Sequence, residues 1–129
     1  MQTARFTIAY WCVLIAALLP IALVVYAKAG SRDNNHPRDA VAALPADKRR
    51  AYAAHQNAYE NFPFFAAAVI IATQNGASVS TVNILAAIYI VLRCVHGVLY
   101  ITDAASARSL CFGAALLVNI AIFVLPAFK

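Results

Sequence analysis

The chain alternates long apolar runs with short polar stretches. From Phe6 to Ala27 every residue is apolar or aromatic except Thr7 and Pro20, enough helix to cross the roughly 30 Å hydrocarbon layer of a bilayer. Further apolar runs extend from Phe62 to Ala72, Val82 to Ile101 and Leu110 to Phe128. The pattern predicts a single all-α domain over residues 1–129, an integral membrane four-helix bundle with antiparallel up-down topology and spans at about 6–27, 51–73, 81–101 and 108–127. The punctuation agrees. The stretch "NNHPRD" reads as a polar loop, Asp47 as the cap of the second helix, and "QNGASVS" as a short turn with Ser80 as the next cap. Pro20 and Pro63 fall inside helical runs, where a kink is expected rather than an end.

Composition strengthens the membrane reading. Of 129 residues, 64% are hydrophobic and 12% charged, more apolar side chain than one soluble core of this size hides. The first run has a rival reading as a signal peptide, since Ala27-Lys28-Ala29 resembles a cleavage site, but it exceeds the usual 7–15-residue apolar core of such a signal.

Charge sets the expected topology. Lys28, Arg32, Arg38, Lys48, Arg49 and Arg50 cluster after the first span and Arg108 follows the third, whereas Arg5 and Lys129 are the basic residues on the opposite side. The positive-inside tendency then puts the first and third connections in the cytoplasm and both termini across the membrane. The net charge of +5 reads as topology and contact with anionic lipid headgroups. Nucleic acid is not an expected partner, because aromatic interleaving for base stacking is absent. Cys12, Cys94 and Cys111 lie in apolar spans and are expected to be packing residues. No metal site is expected, since His36, His55 and His96 do not share a helical phase.

Polar residues within the spans carry the chemistry. On the second helix Arg50, Asn57, Asn61 and Phe64 share a face at 100° per residue, with Glu60 at its edge and His55 pointing the other way. On the third, Tyr89, Arg93, His96, Gly97 and Tyr100 recur at i, i+4, i+7, i+8 and i+11. Ionisable residues at membrane depth face a bundle interior or wet cavity with a partner. A structural reading pairs Glu60 with Arg93 in a buried salt bridge, with Asn57 and His96 bonding between helices. A functional reading makes the two faces one ligand site, because these groups outnumber what one ion pair needs and lie toward the cytoplasmic ends.

The run "RAYAAHQNAYENFPFF" resembles the second-helix signature of the MAPEG family, membrane-associated proteins of eicosanoid and glutathione metabolism, through Asn57, Glu60 and Pro63. The third helix, "RCVHGVLY", and the "RS" beyond it are similar to the microsomal glutathione transferases of that family. The likeness covers all four helices. It implies a bacterial-type inner-membrane homotrimer with glutathione bound between neighbouring subunits near the cytoplasmic face. By the same resemblance Arg50, Asn57, Glu60, Arg93, His96 and Tyr100 bind the substrate, Glu60 meeting the glutathione ammonium, and Arg108 is catalytic, stabilising the thiolate. Ala53 departs from the pattern, standing where glutathione-using members usually carry an Arg that holds a carboxylate.

The implied reaction is glutathione-dependent transfer to hydrophobic electrophiles, or reduction of lipid hydroperoxides, with glutathione as co-substrate and the second, hydrophobic small-molecule substrate arriving from the membrane. A non-catalytic lipid- or partner-binding protein of the same architecture is the alternative.

Overall fold

The computed structural model describes residues 6–29 and 39–128. Arg5, the stretch 30–38 with Arg32, His36 and Arg38, and Lys129 lie outside these residues, so part of the charge asymmetry does too. The chain forms α1 (Ile8–Lys28), α2 (Ala46–Gln74), α3 (Val79–Ile101) and α4 (Ala105–Val124), with short 3-10 turns at Asp39–Ala43 and Leu125–Phe128. No strand occurs among the described residues. α1, α3 and α4 with its terminal turn are long and apolar enough to span a membrane. α2 misses that criterion because its first half is polar, yet its 29 residues reach about 43 Å at 1.5 Å each.

Local chemistry sets the ends. Thr7 caps α1, its hydroxyl accepting from the Tyr10 amide at 3.4 Å. α2 begins after Pro45 rather than at an Asp47 cap. Pro45 stands at the N-cap, with ψ 157°, and its ring disfavours helical backbone at the residue before it, so the helix starts directly after it; Asp47, now in the first turn, accepts from the Tyr26 hydroxyl at 3.2 Å. α3 is capped by Ser78, not Ser80. The preceding turn explains the shift: Gly76 adopts φ 78°, its amide bonds the Thr73 carbonyl and the Ala77 amide bonds that of Ala72. This double bond closes α2 by Ala77, so Ser78 is the first residue free to cap.

Contacts between helix ends fix the up-down topology. The Ala9 amide donates to Asn83 Oδ1 at 2.9 Å, placing the starts of α1 and α3 together. At the other end Lys48 Nζ donates to the Tyr26 carbonyl at 3.0 Å and Arg50 Nε to the Ile101 carbonyl at 2.9 Å. α2 and α3 each touch every other helix and form the centre.

Alanines at Ala9, Ala16, Ala68, Ala72, Ala86 and Ala115 line the core and let backbones approach closely, the usual solution where lipid removes the hydrophobic drive between helices. Gly97 does the same: a Cβ there would stand 3.4 Å from Leu23 Cδ2. Phe65 stacks on Tyr89 with ring centroids 4.1 Å apart. The outer faces are apolar. Leu14, Leu18, Ile21 and Val25 of α1 and Ile84, Ile88, Val91, Val95 and Val98 of α3 are all exposed, a surface that belongs in lipid. The protein is a membrane protein. Cys12 and Cys111 are buried as packing residues, but Cys94 is exposed on the outside of α3, where the helix turns it away from the bundle.

Candidate functional site

The polar residues of α2 and α3 divide around α2 into two groups. On one side Asn57, His96, Tyr100 and Arg108 line a cavity of ≈ 280 Å³ with Ser109 and Phe112. On the other, Tyr52, His55, Gln56, Tyr59 and Glu60 line a surface cavity of ≈ 610 Å³.

Arg93 organises the first side from behind. It is 4% exposed, and its Nη2 donates to Asn57 Oδ1 at 2.7 Å. A guanidinium only donates, so the Asn57 amide must turn its oxygen inward. Asn61 Nδ2 adds bonds to the Asn57 carbonyl at 2.8 Å and to Oδ1 at 3.3 Å. The two Nδ2 hydrogens of Asn57 are then left for the cavity. His96, 3% exposed, is held edge-on to Tyr100 with centroids 5.7 Å apart and lies 6.1 Å from the Phe112 ring. The Arg108 guanidinium lies 4.3 Å over the Tyr100 ring, in the first turn of α4.

The electrostatic sign of this cavity follows. Arg108 only donates, the Tyr100 and Ser109 hydroxyls and the His96 ring can each donate as well as accept, no carboxylate lines the wall, and the positive end of the α4 dipole adds to Arg108. The cavity therefore suits an anion.

Its counterpart has the opposite character. Glu60 is exposed there, the ring of His55 lies 5.4 Å from Tyr52 and 5.1 Å from Tyr59, and Lys28 Nζ is 5.5 Å from the Tyr52 centroid. His55 Nδ1 sits 2.7 Å from the Pro20 carbonyl. A carbonyl only accepts, so Nδ1 carries the hydrogen and His55 fastens α1 to α2. A carboxylate with two tyrosine rings suits a cationic amine.

The sequence-predicted residues thus fall in three places. Asn57, His96, Tyr100 and Arg108 meet around the inner cavity, with Arg93 bonded to Asn57. Glu60 lies on the His55 side of α2 instead and forms no ion pair with Arg93, whose side-chain partner is Asn57. Arg50 is engaged with the last carbonyl of α3, a cation at a helix C-terminus. Phe112 was not singled out in the sequence, and Ser109 entered it only as the second residue of "RS". Ser109 adjoins Arg108 and Phe112 lies one turn on, so helical spacing from Arg108 was the available signal. Tyr52, Gln56 and Tyr59 follow in the same way from Glu60 and His55.

No curated protein and no solved structure matches the chain. The family model described as MAPEG family matches residues 8–128, nearly the whole length, and with four helices in the expected order the chain belongs to the MAPEG family.

Proposed function

We propose that this protein is a membrane-bound glutathione transferase or peroxidase acting on hydrophobic electrophiles or lipid hydroperoxides. The observation that carries the reading is the inner cavity, whose wall carries Arg108 at a helix N-terminus and no carboxylate. Such a wall favours a thiolate over a thiol. A free thiol of pKa near 8.5 is only a few per cent ionised at neutral pH, and each unit by which Arg108 lowers it is worth about 1.4 kcal/mol and nearly tenfold more nucleophile. In conjugation the thiolate sulfur forms the new bond to an electrophilic carbon and the leaving group departs with the bonding pair.

The remaining residues take supporting roles. Asn57 presents its amide hydrogens to the peptide, Arg93 and Asn61 fix that amide, His96 and Tyr100 shape the wall, and Glu60 takes the ammonium. Arg50 acts by holding the end of α3 in register. At ≈ 280 Å³ the inner cavity is smaller than most sites for drug-sized ligands. Tyr59, Gln56 and Glu60 are exposed, polar groups at a depth where hydrocarbon is a costly neighbour. Both features support a homotrimer in which a neighbouring subunit covers α2 and completes a glutathione site. The clustering of Lys28, Lys48, Arg49, Arg50 and Arg108 at one end supports an inner-membrane orientation with that end, and the long basic loop, in the cytoplasm.

One observation favours the non-catalytic alternative. Ala53 cannot hold a carboxylate, and the nearby Arg50 is committed to the Ile101 carbonyl. A lipid- or partner-binding protein needs neither. Calorimetric titration of the purified protein with glutathione, followed by conjugation of a generic aryl halide, separates the two. Binding with turnover is expected. Absence of glutathione heat at millimolar ligand would overturn the enzyme reading.

A further inference from the structure

α3 and α4 meet at the inner cavity in two rungs. His96 and Tyr100 stand about one turn apart on α3, Phe112 and Arg108 about one turn apart on α4, and because the two helices run antiparallel across a short turn the pairs fall opposite one another. On the rung nearer the turn, the Arg108 guanidinium lies 4.3 Å over the Tyr100 ring. On the deeper rung the rings of His96 and Phe112 are 6.1 Å apart. The Tyr100 ring joins the rungs, standing edge-on to His96 at 76° with centroids 5.7 Å apart. We propose that this stack aims Arg108, with Tyr100 working through the face of its ring and His96 and Phe112 holding that ring in place. The inference rests on the reading of Arg108 as the group that stabilises the thiolate.

The chemistry of the wall makes a ring the better partner for such an arginine. A carboxylate would draw the guanidinium N–H groups onto itself and offset the charge that a thiolate needs. None lines the cavity. A ring attracts the cation through its quadrupole and takes no hydrogen bond from the edge of the guanidinium, so the N–H donors stay available to a ligand. The ring must itself be fixed, because a long arginine side chain tied to a mobile partner would keep most of its rotamer freedom. His96 supplies that fixed point. It is 3% exposed, whereas Tyr100, Arg108 and Phe112 are half-buried, and it is flanked by the Tyr100 and Phe112 rings. Tyr100, His96 and Phe112 are on this account positioning residues for Arg108.

The test is turnover of glutathione with an aryl halide, followed across pH in variants of the detergent-solubilised protein. Tyr100→Leu removes the ring and is expected to lower kcat roughly 3- to 30-fold, the usual strength of a cation–π contact read as a rate, and to move the ionisation of the essential thiol up by about 0.5–1.5 pH units. KM for glutathione should change much less than kcat. Tyr100→Phe keeps the ring and should lose far less than Tyr100→Leu on both measures, and Phe112→Leu should move both in the same direction as Tyr100→Leu by a smaller amount. In an Arg108→Ala background, Tyr100→Leu should cost nothing further, because its effect passes through Arg108. Equal losses in Tyr100→Phe and Tyr100→Leu would place the action in the hydroxyl, and additive losses in the double variant would make Tyr100 independent of Arg108. Either result overturns the proposal and leaves a glutathione enzyme standing, whereas absence of turnover in the parent protein overturns the enzyme reading and this role with it.

Discussion

The two sides of α2 diverge within one short stretch, Tyr52 to Asn61, and carry opposite chemistry. The side facing α3 and α4 has Arg93 and His96 buried behind a half-buried wall, its amide oxygen met by Arg93, its cavity lined by Arg108 and no carboxylate. The side bearing His55 and Glu60 is open, with a carboxylate and two phenol rings around a wider cavity. Asn57 and Glu60 are only three residues apart, about 60° around the helix. What separates them is packing: α3 and α4 wall one side, and α1 lies against the other, where His55 bonds the Pro20 carbonyl. The comparison teaches that neighbouring turns of one helix can present groups suited to an anion on one side and to a cation on the other.

Removing Arg108 should break the inner side hardest. Arg108→Ala is expected to lower kcat about 10²–10³-fold, the usual loss when one preorganised donor to a developing anion is removed, while glutathione affinity changes less. Rate against pH should also show the essential thiol ionising at higher pH in the variant. Equal losses in binding and turnover would make Arg108 a general binding residue, and the inner side would lose its special role.

The open side responds differently. Glu60→Gln is expected to weaken glutathione binding by about 1.5–3 kcal/mol, the worth of a hydrogen bond to a charged group. Glu60 is exposed and outside any ion pair with Arg93, so Tm should stay near that of the parent protein. Calorimetry beside thermal melting checks this. A drop in melting temperature with unchanged affinity would mean that the carboxylate serves the fold or the subunit contact.

Much of this division lay beyond the sequence, for a physical reason. Each helix announces its own periodicity, so the four helices, the turn at Gly76 and the polar faces of α2 and α3 were legible from residue order. The register between helices was not. Arg50 shares a helical face with Asn57, and only the height of α3 against α2 puts the Ile101 carbonyl within its reach. Glu60 sat at the edge of that face, and an edge residue goes to whichever side its neighbours leave open. The Asp47 and Ser80 caps failed for local reasons, a proline and a glycine turn that started each helix earlier. The aromatic neighbours Phe112, Tyr52 and Tyr59 were hidden because an aromatic residue in an apolar span has no distinguishing pattern.

Asn119 sharpens the contrast within the buried side. It is 2% exposed on the inward face of α4, and its Oδ1 has no partner among the described residues. Unlike Asn57, whose oxygen is met by Arg93, it contributes an unpaid desolvation cost of about 1–3 kcal/mol. Asn119→Leu is expected to recover that amount as a higher melting temperature in detergent, with turnover unchanged. A loss of stability would mean that the amide oxygen has a partner in the assembled protein.

The smallest effect concerns the turn that delivers Arg108 to the buried side. α3 ends as α2 does: the Asp103 amide bonds the Tyr100 carbonyl and the Ala104 amide that of Leu99, the same double closure seen at Gly76. But here an aspartate holds the left-handed position, at φ 63°, where a Cβ is unfavourable and glycine is not. Asp103→Gly should therefore stabilise the fold by about 0.5–1 kcal/mol, since the bonds that close the turn come from the backbone and survive the change. Because the geometry of the turn is retained, Arg108 should still reach the Tyr100 ring and kcat should hold. Melting and turnover measured on the same preparation check both halves. If stability rises while kcat falls, the Asp103 carboxylate, rather than the turn alone, sets the position of Arg108, and the buried side owes its geometry to a residue at the membrane surface.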